Sequence, residues 1–115
     1  MTTMKDRIPF CPHGSRENVA VELVLALEKL ERGSRLELGF SSGYRCKACN
    51  AAAGGVKNSA HLRGLAVDIL ADNSVKRFRL LNSAVMRGFR RIGIARGFIH
   101  LDLDLNLPQD VLWLY

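Results

Sequence analysis

The sequence lacks any long run of apolar residues, and this absence excludes a helix that spans a membrane. The first ten residues, MTTMKDRIPF, have neither the apolar core nor the small-residue cleavage site of a secretory signal. We therefore expect synthesis in the reducing cytoplasm, and a route other than general secretion to any place of action outside the membrane. Internal repeats and low-complexity segments are also absent, so the length of 115 residues predicts one domain, residues 1–115.

Acidic residues are scarce, because 11 aspartates and glutamates stand against 17 lysines and arginines, a net charge of +6. Such an excess favours anionic partners, of which nucleic acid and the anionic polymers of bacterial cell walls are two. Aromatic residues make up only 7% of the chain, and they are not interleaved with the arginines as in a groove for single strands. We interpret the densest basic run as a solvated face and do not expect nucleic acid as the partner. That run comprises Arg87, Arg90, Arg91 and Arg96.

Hydrophobic periodicity predicts an α+β fold with two main helices and an antiparallel sheet. Residues 1–10 are expected to form an extended lead-in, because Pro9 discourages helix. Ser15 and Asn73 are the expected N-caps of the two helices, and Gly33 is the expected stop of the first. The helices are predicted at residues 16–32 and 75–87.

Strands are predicted at residues 36–40, 64–70, 91–95, 98–105 and 111–115, the last three as a meander. Residues 44–59 are rich in glycine and alanine and are expected to form an irregular loop. A loop of this length in a compact domain is usually functional. We expect Trp113 to pack in the core, with a place in a cleft wall as the alternative.

The segment Ser59–Asp68, S-A-H-L-R-G-L-A-V-D, carries two residues that are common metal ligands, His61 and Asp68. A third candidate, His100, lies in F-I-H-L-D-L-D, where alternation puts it on the same strand face as Asp102 and Asp104. Imidazole nitrogens and carboxylate oxygens are standard zinc ligands, and a catalytic zinc has three protein ligands and one open position. The pattern therefore predicts a metal centre.

Five motifs carry a resemblance to a known family: S-S-G-Y-R (41–45), Asn50, G-G-V-K-N-S-A-H-L-R-G-L-A-V-D-I (54–69), R-I-G-I (91–94) and F-I-H-L-D (98–102). Over roughly residues 10–115 the sequence resembles the zinc D,D-carboxypeptidase and endopeptidase family of peptidoglycan hydrolases. The fold of that family is shared by the amino-terminal signalling domain of hedgehog proteins. The likeness is closest to the branch found in bacteriophage lysis enzymes and small bacterial cell-wall peptidases.

The resemblance implies that zinc is held by His61, Asp68 and His100. It implies that zinc-activated water hydrolyses a bond involving a D-amino acid in the peptidoglycan stem or cross-link. The expected protein is a monomeric phage or prophage lysin whose partner is peptidoglycan peptide, and which acts at the wall after its release. The resemblance leaves open whether it is a carboxypeptidase or an endopeptidase.

The general base is a departure from the family pattern. Many relatives have an acid three residues before the last histidine ligand, where this chain has Gly97. We predict Asp102 as the substitute, and the alternative is that Asp102 only orients His100 or a loop arginine. Arg45 resembles the family arginine that reaches the substrate carboxylate or the developing oxyanion, the alternative being an anchor for its own loop. Ser59 is expected to bind substrate or merely to fix its turn.

The three cysteines form a separate pattern. Cys11 and His13 give a C-x-H, Cys46 and Cys49 a C-x-x-C, and together they are a candidate closed set for a structural zinc ion. A Cys11–Cys46 disulfide is the rival interpretation, although a reducing compartment disfavours it. Three free thiols are the third.

Two other functions remain open from the sequence. A catalytically inactive, zinc-containing cell-wall-binding module of the same fold is compatible with the glycine at position 97, since a fold does not guarantee hydrolysis. A small nucleic-acid-binding protein is suggested only by the net charge and leaves the polar face of the His100 strand unexplained.

Overall fold

A five-stranded sheet forms the centre of the computed structural model, which describes residues 2–115. The strands are β1 (Phe40–Ser42), β2 (Ala66–Leu70), β3 (Arg91–Ile94), β4 (Phe98–Asp102) and β5 (Val111–Leu114). Their order across the sheet is β1-β2-β4-β3-β5. The central pair, β2 and β4, is antiparallel, and its register puts Asp68 opposite His100.

The last strand corrects the predicted all-antiparallel meander, because β5 pairs with β3 in parallel. A meander would require β5 to lie beside β4, but β2 and β3 already occupy both edges of β4. Strand β5 instead lies at the other edge of β3. Because β3 is antiparallel to β4, a strand that reverses direction after β4 runs parallel to β3. The sheet is mixed, with three antiparallel pairs and one parallel pair.

Two long helices cover one face of the sheet, and the sequence predicts both helices. The helices are α1 (Met4–Arg7), α2 (Val21–Ser34), α3 (Lys47–Ala52) and α4 (Ser74–Met86), with 3₁₀ turns at Arg16–Asn18 and Ala60–Arg63. Helices α2 and α4 contact each other, and α4 packs against β4. The buried stripe of α2 is Leu23, Leu27 and Leu30, and it joins one core with the apolar residues of β2 and β4. This packing confirms the α+β class and fixes which face of β4 points away from the helices.

The amino-terminal part of the chain differs from the prediction in two ways. The expected lead-in of residues 1–10 contains α1, which Thr3 begins with a reciprocal capping box, while Met1 lies outside the described residues. Pro9 follows this helix and so does not interrupt it. Ser15 caps only the first 3₁₀ turn, and α2 begins later, at Val21.

The carboxyl end of α2 and the long loop also differ. Helix α2 continues through Gly33 and ends where Arg35 takes a left-handed conformation, with φ 56°. The segment predicted as irregular contains α3, because the side chain of Cys46 accepts a hydrogen bond from the amide of Cys49 and caps it. Strand β1 lies at Phe40–Ser42 rather than at residues 36–40. Within residues 2–115, every helix is too short or too polar to cross a bilayer.

Candidate metal centre

Three buried side chains with metal-ligand chemistry converge beside the central strand pair. They are His61 from the second 3₁₀ turn, Asp68 from β2 and His100 from β4, and their ligand atoms lie within 4.8 Å of one another. Because β2 and β4 are antiparallel with Asp68 opposite His100, the two side chains project from the same face. The structure thus brings together the three residues that the sequence predicts as ligands.

The ring of His61 is oriented by the backbone. Its Nδ1 lies 2.7 Å from the carbonyl oxygen of Gly43, which can only accept, so Nδ1 carries the proton. The other ring nitrogen, Nε2, faces Asp68, at 3.4 Å from its Oδ1. The hydroxyl of Ser59 accepts from the amide of His61 at 3.2 Å and caps the 3₁₀ turn. Gly64 ends that turn in the left-handed region, with φ 68°.

Both nitrogens of His100 face carboxylates. Its Nδ1 lies 3.0 Å from Oδ1 of Asp68, and its Nε2 lies 2.7 Å from Oδ2 of Asp102. Burial lowers the pKa of His100, but the hydrogen bonds with Asp102 and Asp68 outweigh burial and raise the pKa above its ordinary value. Burial likewise raises the pKa of Asp68, yet hydrogen bonds from His100 and His61 hold that pKa below its usual range.

This donor set fits a zinc ion. Two imidazole nitrogens and one carboxylate oxygen converge, while the outer nitrogen of each ring is hydrogen-bonded to a carbonyl or carboxylate. Such outer partners fix the tautomer and orientation of ligating histidines in metal sites.

A cavity of about 560 Å³ opens beside the three residues. Arg45 lines it, and the amide of Arg45 donates to the carbonyl of His61 at 3.1 Å, which holds the loop against the 3₁₀ turn. Its side-chain Nε is buried and has no hydrogen-bond partner within residues 2–115. A buried guanidinium nitrogen without a partner lowers the stability of the fold unless a ligand accepts its hydrogen bond.

Asp102 is almost fully buried, and both of its oxygens are engaged. Oδ2 lies against His100, while Oδ1 accepts from Nε of Arg91 at 2.8 Å and from the amide of Asp104 at 3.1 Å. Asp104, which alternation places on the same face, lies outside the group of three and pairs instead with Arg63. Asp102 and Asp104 therefore bind different partners.

Arg91 is a site residue that the interpretation of the basic run as a solvated face missed. Besides Asp102, its guanidinium donates to the carbonyl of Pro108 at 2.6 Å and lies 5.2 Å from the ring centroid of Trp113. The R-I-G-I motif was the available signal, because Gly93 pairs with His100 and this register puts Arg91 opposite Asp102. Trp113 lines the cavity rather than the core, against Gly93, where a Cβ would meet the indole.

Cys11, His13, Cys46 and Cys49 form a second group, whose ligand atoms also lie within 4.8 Å of one another. All three thiols are free, so the structure contains no Cys11–Cys46 disulfide. Burial raises the pKa of Cys11, but backbone amide and neighbouring thiol hydrogen bonds outweigh it and lower the pKa to about 7. The hydrogen bond with Cys46, together with burial, raises the pKa of Cys49 to about 11.

A family model described as Peptidase M15 matches residues 5–102 of this chain. The matched range contains both groups of candidate ligands and ends at Asp102. A search of curated proteins found no match.

Proposed function

Since this chain belongs to the peptidase M15 family, we propose that it is a zinc-dependent peptidase that acts on the peptide of bacterial peptidoglycan. The bond involves a D-amino acid in the stem or cross-link, and the protein serves as a phage or prophage lysin. The observation that carries the proposal is the convergence of His61, Asp68 and His100 beside a cavity lined by Arg45, whose buried Nε has no hydrogen-bond partner among residues 2–115. The net charge of +6 suits approach to an anionic wall.

His61, Asp68 and His100 would hold the zinc ion, through Nε2 of the first ring and Nδ1 of the second. Bound zinc supplies Lewis acidity, which polarises a scissile carbonyl and lowers the pKa of water towards ~7. Gly43 and Asp102 prepare the two rings for this role, because each accepts from the nitrogen that faces away from the other ligands.

Arg45 binds the substrate in this proposal. Its guanidinium presents parallel N–H donors that match a carboxylate, and the same donors would stabilise an oxyanion that develops on the scissile carbonyl. Ser59 lines the cavity, and its hydroxyl oxygen accepts a hydrogen bond from the amide of His61. Its hydroxyl proton remains available to a substrate carbonyl.

Asp102 is better supported as a positioning residue than as the general base predicted from the sequence. Both of its oxygens already accept hydrogen bonds, and Arg91 neutralises its charge. Held in this way, it keeps the Nε2 proton of His100 in place and leaves Nδ1 as the electron-pair donor.

The test combines a wall assay and a peptide assay. The wall assay uses a suspension of bacteria whose outer membrane has been permeabilised. Its turbidity should fall when the protein is added, stay constant when a chelator is also present, and fall again once zinc is restored. A synthetic stem peptide is then digested, and the product masses identify the bond cut and separate carboxypeptidase from endopeptidase. His61→Ala is the matched inactive control. A folded, zinc-loaded protein that cleaves neither substrate would contradict the proposal.

A second candidate is a wall-binding module without turnover. The observation that favours it is Gly97, which supplies no carboxylate three residues before His100. This candidate predicts that the protein sediments with purified cell walls and releases no peptide fragment from them.

A further inference from the structure

We propose that Cys11, His13, Cys46 and Cys49 hold a second metal ion, a structural zinc, independent of the candidate metal centre. The inference goes beyond the proposed function and does not rest on it. The group lies outside the catalytic residues and shares none of their side chains.

Two short segments of the chain bring the four residues together. Cys11 and His13 lie in a turn closed by a hydrogen bond from the amide of Gly14 to the carbonyl of Cys11, at 2.9 Å. Cys46 caps α3 and Cys49 lies in its first turn. The segments are joined by a hydrogen bond from the amide of Cys11 to the carbonyl of Tyr44, at 3.0 Å. The four side chains are therefore held by backbone contacts.

The distances match a tetrahedral zinc site. Nδ1 of His13 lies 3.6 Å from Sγ of Cys46 and 3.4 Å from Sγ of Cys49. Zinc bonds of about 2.3 Å to sulfur and about 2.0 Å to nitrogen, at tetrahedral angles, separate the two donor atoms by about 3.5 Å. A disulfide would use two of the four groups and would leave the imidazole and one thiol unexplained.

The backbone also favours thiolates here. The amide of Cys46 donates to Sγ of Cys11 at 3.3 Å, and the amide of Cys49 donates to Sγ of Cys46 at 3.5 Å. N–H donors to sulfur stabilise the charged form that binds metal. Three thiolates and one imidazole complete the tetrahedron, and a site with no open position is structural rather than catalytic.

The location explains what the ion would do. It would fasten the Cys11 turn to the segment 43–46, in which the carbonyl of Gly43 orients His61 and Arg45 lines the cavity. Pro9 and Gly43 are already in such close contact that a Cβ on Gly43 would overlap the carbonyl oxygen of Pro9. A zinc ion beside this contact would keep the wall of the metal centre rigid.

The experiment counts metal in the whole protein, purified under reducing conditions, by elemental analysis for zinc and iron. The wild type should carry two zinc ions, and the double variant His61→Ala/His100→Ala should carry one. Cys49→Ser should also lose one ion, whereas Ala48→Ser, an exposed substitution in the same turn, should keep both. Cobalt loaded into the double variant should show thiolate-to-cobalt charge-transfer absorption, because only the cysteine group supplies sulfur.

Several results would overturn the proposal: a double variant that carries no zinc, iron in place of zinc, or a cobalt-loaded double variant without the thiolate band. These readouts need no correctly folded Cys49→Ser protein. They are also independent of turnover, because a protein that cleaves no peptide could still carry two zinc ions. Conversely, an active enzyme with one zinc per chain would leave the proposed function standing and remove this second site.

Discussion

Nε2 of His100 lies 2.7 Å from Oδ2 of Asp102, two residues further along the same strand. Side chains two apart on a strand point to the same face, so the pair needs no contribution from the fold beyond the extended backbone of β4. Arg91 from the neighbouring strand holds the other oxygen of Asp102. The strand thus carries both a candidate metal ligand and the group that decides which nitrogen of that ligand is free.

Asp102→Asn tests whether this carboxylate positions His100 or acts as the base. For a positioning role we expect zinc affinity to fall about 10- to 100-fold, as for other groups that orient metal-binding histidines, and excess zinc to restore much of the peptidase rate. For a base, zinc would stay bound and the rate would be lost at every zinc concentration. The measurements are zinc affinity by chelator competition and kcat/KM against added zinc. Unchanged affinity and rate would exclude both roles.

Arg45→Ala should weaken turnover of a stem peptide by about 10- to 100-fold in kcat/KM, because the cavity loses its buried donor to an anion. Arg45→Lys keeps the charge but lacks the planar pair of donors, so it should recover only part of the loss. Arg96→Ala removes an exposed arginine outside the cavity and is the matched control. Zinc content should be unchanged in all three. Equal rates for Arg45→Ala and Arg96→Ala would argue that Arg45 does not touch substrate.

Gly64→Ala should destabilise the fold more than Gly88→Ala, although both glycines have positive φ. A Cβ on Gly64 would overlap the backbone oxygen of Asn18, whereas a Cβ on Gly88 would meet open space. We expect about 1 kcal/mol for Gly88→Ala from the left-handed backbone alone, and about 3 kcal/mol for Gly64→Ala. Urea unfolding gives both values, and equal losses would contradict the close approach at Asn18.

Glu31→Gln should lower stability in a pH-dependent way. Arg7 and Glu31 form a two-pronged ion pair, and Glu31 also accepts from the amide of Leu38 at 2.8 Å. The Arg7 hydrogen bond holds the pKa of Glu31 below its ordinary value. A depressed carboxyl pKa contributes stability above the unfolded pKa, and this contribution is lost as pH falls through the folded pKa. We expect a loss of about 1 kcal/mol at neutral pH that shrinks below about pH 4.

The control for this pH series is Asp110→Asn, at an exposed ion pair with Arg90. Asparagine tolerates the positive φ of 59° at this position. The free energy of unfolding of the Asp110→Asn variant should match that of the wild type at every pH, since exposed ion pairs contribute little to stability. A Glu31→Gln deficit that stays constant down to pH 2 would show that the carboxylate charge is not its origin.

Short-range patterns predicted much of this molecule. Alternation in F-I-H-L-D located β4 and its polar face, and Asn73 marked the start of α4. The parallel course of β5 could not be predicted locally, because it depends on which strand edges other parts of the chain already occupy. Helix α3 was missed because its cap is a cysteine, a residue that seldom caps helices. Arg91 was assigned to solvent because charge density along a sequence carries no information about the strand register.

The hydrogen bonds at His61 also hold together the two ends of a loop. Its Nδ1 meets the carbonyl of Gly43, and its own carbonyl accepts from Arg45, so the residues between form a loop clipped at its base. The stretch 51–54, at the far end of this loop, is exposed. Doubling the length of a flexible loop costs only about 0.6 kcal/mol in closure entropy. Evolution, or an engineer, could therefore lengthen this cavity wall at residues 51–54 to change which peptides enter, while the clip keeps His61 in place.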